Sequence, residues 1–246
     1  MSSNEHDARA HAMDRRTFIR AGAAATVTAL SGVEVGCAAE PTLCTVTPTF
    51  QEGPFYVNTL TAGLKRRDVT EGMRGAPMLV RMTLLESQTC RPCANLPVDI
   101  WSTSPMGLYS AVDNSIVLRG GEDTTGTTYM RGHQFTDGDG VVEFETLFPG
   151  WYEVTPPHLH FTTQLPGERA YTWQFFIDDA FAEEVYTTVE PYAARGVHPV
   201  RTDSRTGYVR DALTVTPTGT ATSPIIDVVV GIDMEALLER ADEYDS

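Results

Sequence analysis

Positive charge is what this sequence most lacks. Its 246 residues include 18 Lys and Arg against 33 Asp and Glu, a formal net charge of −15. Such a charge repels phosphate groups, which excludes nucleic acids and other polyphosphates as partners. Four basic residues balance four acidic ones within residues 1–39. The acidity therefore belongs to the part of the chain that follows.

Long apolar runs and cysteines are also scarce. After residue 39 no apolar stretch approaches the ~20 residues of a membrane-spanning helix. Of the four cysteines, Cys90 and Cys93 form "CRPC". A tetrahedral zinc site needs a second such pair, and a redox pair needs a helix directly after it. In an exported protein, a disulfide from Cys44 to either Cys90 or Cys93 is the better prediction.

The N-terminal segment has the pattern of an export signal. Residues 13–39 read "MDRRTFIRAGAAATVTALSGVEVGCAA", with Arg15 and Arg16 followed by small, weakly apolar residues. This predicts a twin-arginine signal over residues 1–39 and a periplasmic or extracellular location. A short amphipathic surface helix is the alternative, although Gly and Ala stand where such a helix needs Leu and Ile.

The sequence leaves two possible positions for cleavage of the signal segment. Cys37 allows a lipid anchor, but Glu34 stands where a lipoprotein signal needs Leu or Val, so ordinary cleavage near Ala39 is the rival. The twin-arginine route exports proteins that are already folded, often with a metal or cofactor in place. A metal site would suit this route.

Beyond residue 44 the pattern is that of β-structure. Segments of strand length, rich in Val, Ile, Thr and aromatic residues, are separated by Gly, Pro, Asp and Asn. The predicted strands are "PMLVRMTLLES", "LPVDIWST", "TTYMRGHQFT", "VVEFETLF", "HLHFTTQL", "TWQFFID" and "SPIIDVVVGID". Asp139-Gly140 predicts a hairpin turn. Helical periodicity occurs only in "DDAFAEEVYTTV" and in the C-terminal "MEALLERADEYDS".

These patterns predict an all-β protein with few short helices. The expected organisation is a single β-domain over residues 40–235 and a solvated acidic tail over residues 236–246. The stretch "GYVRDALTVTPTGTATSP" is expected to form a strand and a loop before the last strand.

The candidate site centres on "LFPGWYEVTPPHLHF", residues 147–161. Side chains alternate between faces along a strand, so His158 and His160 point the same way. Two neutral imidazoles alone make a labile metal site. Tyr152 and Tyr109, the latter after "SPMG", are placed to complete it. A phenolate is a hard anionic donor that suits Fe(III).

Five segments together resemble the intradiol ring-cleavage dioxygenase family, and its secreted members in particular. These segments are "CTVTPTFQEGPFYV" (44–57), "VDIWSTSPMGLYS" (98–110), "YMRGHQFTDGDGVVEFETLFPGWY" (129–152), "HLHF" (158–161) and "TWQFF" (172–176). The resemblance covers about residues 44 to 235 in order. It implies a β-sandwich with a non-haem Fe(III) site between the sheets.

The resemblance also implies roles for single residues. The metal ligands would be Tyr109, Tyr152, His158 and His160, with Tyr152 leaving the metal when substrate arrives and accepting a catechol proton. Gln174 matches a glutamine that supports the family's site. The implied reaction is cleavage of a catecholic ring with O₂ to a muconate-type diacid. A dimer is a further expectation, because family members often form one.

Two departures from the family pattern qualify this prediction. Thr155 stands where the family usually places an arginine, and Ser102 follows Trp101 where the family has histidine. Losing one preorganised cation costs on the order of 10²–10³ in rate. This loss applies unless another arginine, such as Arg131, Arg169 or Arg195, folds into the site. The alternative function is a non-catalytic protein that binds iron or an iron–catecholate complex.

Overall fold

Two β-sheets make up most of the described chain. The structure, a computed structural model, describes residues 45–116, 121–152, 155–165, 168–202 and 213–237. All of them belong to one compact unit, residues 41–246. The strands are β1 (Pro77–Glu86), β2 (Pro97–Trp101), β3 (Arg131–Phe135), β4 (Val141–Leu147), β5 (His158–Leu165), β6 (Glu168–Ile177), β7 (Leu213–Val215), β8 (Thr218–Thr220) and β9 (Ser223–Ile232).

The two sheets form a sandwich, which confirms the predicted fold class. One sheet has the order β4-β1-β9-β8 and the other the order β3-β2-β5-β6-β7. Pairing is antiparallel except between β1 and β9 and between β6 and β7. Strand β1 alternates buried and partly exposed residues, as expected for a strand with one face on a core.

Strand β2 differs because both of its faces are buried. Val98 and Ile100 belong to the core between the sheets. Asp99 and Trp101 point to the opposite face, where they are also buried. Tyr56 and Thr59 donate hydrogen bonds to the two carboxylate oxygens of Asp99. The segment that precedes β1 is thereby tied across the outer face of the five-stranded sheet.

The predicted strands are observed as β1 to β6 and β9, with β6 beginning earlier than "TWQFFID". The weakly patterned stretch before β9 contains two short strands, β7 and β8, where one strand was expected. Asp139-Gly140 does form a turn, with Gly140 at a φ of 74°. It is not the turn of a β-hairpin, because β3 and β4 belong to different sheets.

The helix predicted in "DDAFAEEVYTTV" is observed as α1, Asp179–Thr188. It begins after Asp178, whose side chain accepts hydrogen bonds from the backbone N–H groups of Ala180 and Phe181. This is the usual capping arrangement for an aspartate at a helix start. The C-terminal prediction is helical at 234–237, and its remainder lies outside the described residues.

The cysteine pattern is resolved in part. Cys90 is disulfide-bonded and Cys93 is a free, buried thiol. Burial raises the pKa of the Cys93 thiol to about 11, so this thiol is protonated and unreactive near neutral pH. Cys37, Cys44, the predicted export signal and most of the acidic tail lie outside the described residues. In the part that is described, no helix has the length and apolarity of a membrane span.

His198 lies buried beside helix α1. The residue is only 4% exposed and its ring packs edge-on against Tyr186 of α1. Its Nδ1 donates to the carbonyl of Val200, while Nε2 lies 3.6 Å from an oxygen of Asp179. Burial lowers the pKa of His198 despite the hydrogen bond and Asp179, which both raise it. Arg201 and Glu183 also act on this group.

This burial predicts a pH-dependent stability. Because the pKa of His198 is lower in the folded chain than in the unfolded chain, the unfolded chain binds more protons below pH ~6.5. The free energy of unfolding should therefore fall as the pH falls from 7 to 5. In His198→Gln, which cannot titrate, the fall should be smaller. Urea unfolding at pH 7 and pH 5 measures the free energy of unfolding of both proteins. An equal fall in the wild type and in His198→Gln would contradict the prediction.

Candidate metal centre

The predicted ligands lie on the outer face of the five-stranded sheet. Arg131 pairs with Trp101, Trp101 with His160, and His160 with Gln174, so one residue from each of β3, β2, β5 and β6 forms a row. Directly paired residues point to the same face. The neighbours of His160 in sequence, Leu159 and Phe161, point into the core between the sheets.

This corrects the expectation that the site lies between the two sheets. Phe161 contacts Phe144 of the opposite sheet, which identifies the inner face. His160 directly precedes Phe161 and therefore points to the opposite face of the sheet, away from the core. His158, two residues before His160, points the same way. They are nevertheless buried, because other segments cover this face of the sheet.

Three predicted ligands converge within hydrogen-bonding distance of one another. The Nε2 atoms of His158 and His160 are 2.9 Å apart. The hydroxyl oxygen of Tyr109 lies 3.2 Å from the first and 3.1 Å from the second. All three side chains are buried. The three polar atoms thus form a small triangle shielded from solvent.

The orientation of His158 is set by the backbone. Its Nδ1 lies 2.7 Å from the carbonyl oxygen of Pro156. A carbonyl can only accept, so Nδ1 carries the proton and Nε2 presents a lone pair to the triangle. Metal-binding histidines usually have this arrangement, in which the second ring nitrogen donates to an oxygen.

His160 is held by stacking instead. Its ring is parallel to that of Trp101, with the centroids 4.7 Å apart. Its Nδ1 has no hydrogen-bond partner among the described residues, which leaves the histidine incompletely satisfied whichever nitrogen carries the proton. Burial, followed by the charges of His158 and Arg131, holds the pKa of His160 well below its ordinary value. The imidazole is therefore neutral and able to act as a ligand.

Tyr109 is fixed through its backbone and its ring. Asn114 accepts a hydrogen bond from the Tyr109 N–H and donates to the Tyr109 carbonyl, each at 2.8 Å. Thr124 donates to the same carbonyl. The ring of Tyr109 stacks on Phe55 with the centroids 4.3 Å apart. These contacts hold the phenol with its hydroxyl beside the two histidines.

Two glycines bring the tyrosine-bearing segments together. A Cβ on Gly107 would lie 2.2 Å from the carbonyl oxygen of Trp151, and one on Gly150 would lie 2.3 Å from that of Pro105. The backbone N–H of Gly150 donates to the Ser104 carbonyl. The segments before Tyr109 and Tyr152 therefore pack backbone against backbone, which only glycine permits.

Tyr152 lies at the edge of the triangle and is half-buried. Its ring centroid is 5.9 Å from the rings of both Tyr109 and His158. Thr155, which replaces the family arginine, donates from its backbone N–H to the Tyr152 carbonyl at 3.4 Å. Residues 153 and 154 between them lie outside the described residues.

Gln174 and Ser102 lie beside these residues. Gln174 is buried on the same face as His160, and its Nε2 donates to the carbonyl of Gln51. The buried hydroxyl of Ser102 finds no hydrogen-bond partner within the described residues. The role that the resemblance implies for Gln174 stays a prediction.

The donor set fits a metal ion that tyrosine helps to bind. Among the described residues no group of three or more His, Cys, Asp or Glu side chains forms a metal site, so histidine alone does not complete one. The triangle supplies two imidazoles and a phenol oxygen. Metal–nitrogen bonds of ~2.0–2.1 Å place neighbouring donors roughly 2.9–3.4 Å apart. The observed separations of 2.9, 3.1 and 3.2 Å agree with this spacing.

Several contributors to the site were not predicted as such. Trp101 stacks on His160. Asn114 and Thr124 anchor Tyr109, and Phe55 covers it. Asparagine is common in turns where it bonds to nearby backbone, so Asn114, five residues after Tyr109, was the available signal. The others depend on long-range packing that no local pattern reveals.

Comparison with known proteins identifies relatives of one kind. The chain is 24% identical over 147 residues to the chlorocatechol 1,2-dioxygenase of Pseudomonas putida, covering 52% of each chain. It is 26% identical over 150 residues to catechol 1,2-dioxygenase 2 of Acinetobacter lwoffii, covering 54% of this chain and 51% of that protein. The chain therefore spans about half the length of these curated relatives. No protein-family model matches it.

The fold agrees with these sequence matches. An intradiol ring-cleavage dioxygenase from Tetranychus urticae superposes with a TM-score of 0.65 at 25% identity. The superposition covers 76% of this chain and 95% of that chain. The resemblance seen in the sequence motifs thus extends through nearly the whole of a solved structure.

Proposed function

We infer that this chain is a member of the intradiol ring-cleavage dioxygenase family, to which its relatives point, and that it is an enzyme that cleaves the ring of a catecholic aromatic with O₂ to give a muconate-type diacid. Non-haem Fe(III) is the proposed cofactor. Export by the twin-arginine pathway, with a dimer as the working form, is part of the same proposal. The observation that carries it is the buried triangle of Tyr109, His158 and His160.

The positions of the two tyrosines support different roles. Tyr109 is buried and fixed by Asn114 and by Phe55, so we assign it, with His158 and His160, to permanent binding of the metal. Tyr152 is half-buried at the edge, so it is the ligand with room to leave. We assign to a displaced Tyr152 the role of accepting a proton from the incoming catechol.

The remaining residues keep the site ordered and dry. Trp101 and Phe55 lie flat against His160 and Tyr109, which excludes water from the donors. Gln174 lies on the same face of the sheet as His160, and its amide is held by the Gln51 carbonyl. Fe(III) bound here would supply Lewis acidity and draw electron density from a chelating catechol, opening the ring carbon to O₂.

A second function is favoured by Thr155. With no arginine at this position, the same site would bind iron or an iron–catecholate complex without cleaving it. The two functions predict the same ligands and differ only in turnover, so one set of measurements separates them.

The test combines iron content, visible absorption and oxygen uptake of the purified protein, with and without catechol under air. We expect bound Fe(III), a tyrosinate-to-iron charge-transfer band that shifts on addition of catechol, and consumption of O₂. A shifting band without O₂ consumption would favour the binding protein. A protein that stays colourless after reconstitution with iron would overturn both functions.

A further inference from the structure

Arg131 is a buried cation beside the proposed metal centre, and the four predicted ligands do not account for its presence there. It lies at the start of β3, in the same cross-strand row as Trp101 and His160. Its side chain is fully buried. Among the described residues it forms no ion pair with a carboxylate, and its Nη1 has no hydrogen-bond partner. Burying a guanidinium without a partner anion is costly.

The other guanidinium nitrogens hold the segment that carries Tyr109. Nε and Nη2 of Arg131 approach the Ser110 carbonyl at 3.2 and 2.8 Å, and Nε also donates to the Ser110 hydroxyl at 2.9 Å. That hydroxyl donates onward to the carbonyl of Tyr129. Ser110 follows Tyr109 directly, so Arg131 fixes the backbone next to the phenol.

The surroundings of Arg131 are rich in groups that become anionic. When ionised, Tyr109, Tyr129, Tyr56 and Asp99 stabilise its charge electrostatically, in that order. The Asp99 carboxylate already accepts hydrogen bonds from Tyr56 and Thr59. Burial lowers the pKa of Arg131 to about 10, which still leaves it charged near neutral pH.

We propose that Arg131 is a positioning residue of the metal centre: it orients the Tyr109 segment through Ser110 and supplies, from β3, the positive charge that Thr155 does not supply. The inference rests on the proposed function, since the charge is useful only where Tyr109 binds a metal as phenolate. Of the other arginines, Arg195 stacks on Trp151 and is only partly buried. The Arg169 side chain lies outside the described residues.

The experiment compares Arg131→Met and Arg131→Lys with Arg66→Met. Arg66 is a matched control because its Nε donates to the Arg131 carbonyl, so it supports the same strand without facing the ligands. The probe is Fe(III). The readouts are its retention against a chelator, the energy of the tyrosinate-to-iron band, and the unfolding temperature of the iron-free protein.

In Arg131→Met we expect about 10- to 100-fold weaker retention of Fe(III), as for other residues that support metal ligands. The band should move to lower energy, because a phenolate that loses a neighbouring cation gives up its electron more easily. Arg131→Lys keeps the positive charge but loses the planar set of guanidinium N–H donors that bonds to Ser110. Its band should therefore stay near the wild-type energy, while its retention of Fe(III) weakens. Arg66→Met should lower the unfolding temperature alone.

Wild-type retention and an unshifted band in Arg131→Met would overturn the proposal. If that variant does not fold, Arg131→Lys decides, because wild-type retention in it would show that the fork is not needed. If neither single variant folds, Thr155→Arg is measured in the otherwise unchanged chain, and a sharp gain in Fe(III) retention or a clear shift of the band would show that Arg131 does not already supply the charge. A wild-type protein without the band would instead reject the proposed function.

Discussion

Replacing Gly107 with alanine is expected to lower the free energy of unfolding by about 2–5 kcal/mol and to abolish binding of Fe(III). The residue has a φ of +82°, a left-handed conformation that costs an alanine about 1–2 kcal/mol. The new Cβ would also lie 2.2 Å from the carbonyl oxygen of Trp151. Relieving this overlap requires a backbone shift, at a further cost of about 1–3 kcal/mol or more.

The shift would fall on the segments that carry the ligands. Gly107 is two residues from Tyr109, and Trp151 directly precedes Tyr152, so separating their backbones moves both phenols. Denaturant unfolding of the iron-free protein and iron content after reconstitution measure the two effects. Gly63→Ala is the matched control, because Gly63 has a φ of +69° and nothing within 4 Å of its Cβ position. It should lose about 1–2 kcal/mol and keep its iron.

The comparison of these two glycines tests the cause of the effect. If Gly107→Ala were no less stable than Gly63→Ala and bound iron normally, the close packing of the two tyrosine-bearing segments would be unnecessary for the site. The sequence "MGLYS" indicates only that the backbone bends here. That the glycine also allows another chain segment to approach depends on the fold.

Strand patterns predicted the sheets well because burial on one face imposes a period of two. Strand β1, with one face on the core, follows this rule. The two short strands before β9 were predicted only as one strand and a loop, since three residues are too few to show any period. The assignment of β3 and β4 to different sheets was also hidden, because a tight turn has the same sequence signal whether or not its strands pair.

The site shows the same division between local and long-range information. Alternation along β5 predicted that His158 and His160 share a face, and the structure brings them together with Tyr109. Alternation does not tell which face is the core. That required Leu159 and Phe161 to be located among the residues between the sheets. The buried charge of Arg131 likewise follows from packing and not from any pattern along β3.

Replacing Tyr109 with phenylalanine is expected to remove most of the bound Fe(III) and to lower oxygen uptake with catechol by at least 10²–10³-fold, the order of effect for one preorganised polar group. The substitution deletes the oxygen that lies 3.2 and 3.1 Å from the two histidine nitrogens. The ring, its stacking on Phe55 and the backbone contacts to Asn114 remain possible. The fold should therefore survive with a loss of about 1–3 kcal/mol.

Tyr192→Phe separates the loss of a ligand from the loss of a buried hydroxyl. Tyr192 is also buried, donates to the Phe148 carbonyl at 2.7 Å and accepts from the Ala76 N–H at 3.3 Å. Removing the Tyr192 hydroxyl should lower the free energy of unfolding about as much as Tyr109→Phe does. The iron content, the charge-transfer band and the oxygen uptake should stay at wild-type levels. Should Tyr109→Phe behave like this control, Tyr109 is not a ligand. The two histidines would then need another donor, and the half-buried Tyr152 would have to bind the metal permanently instead of leaving it for the substrate.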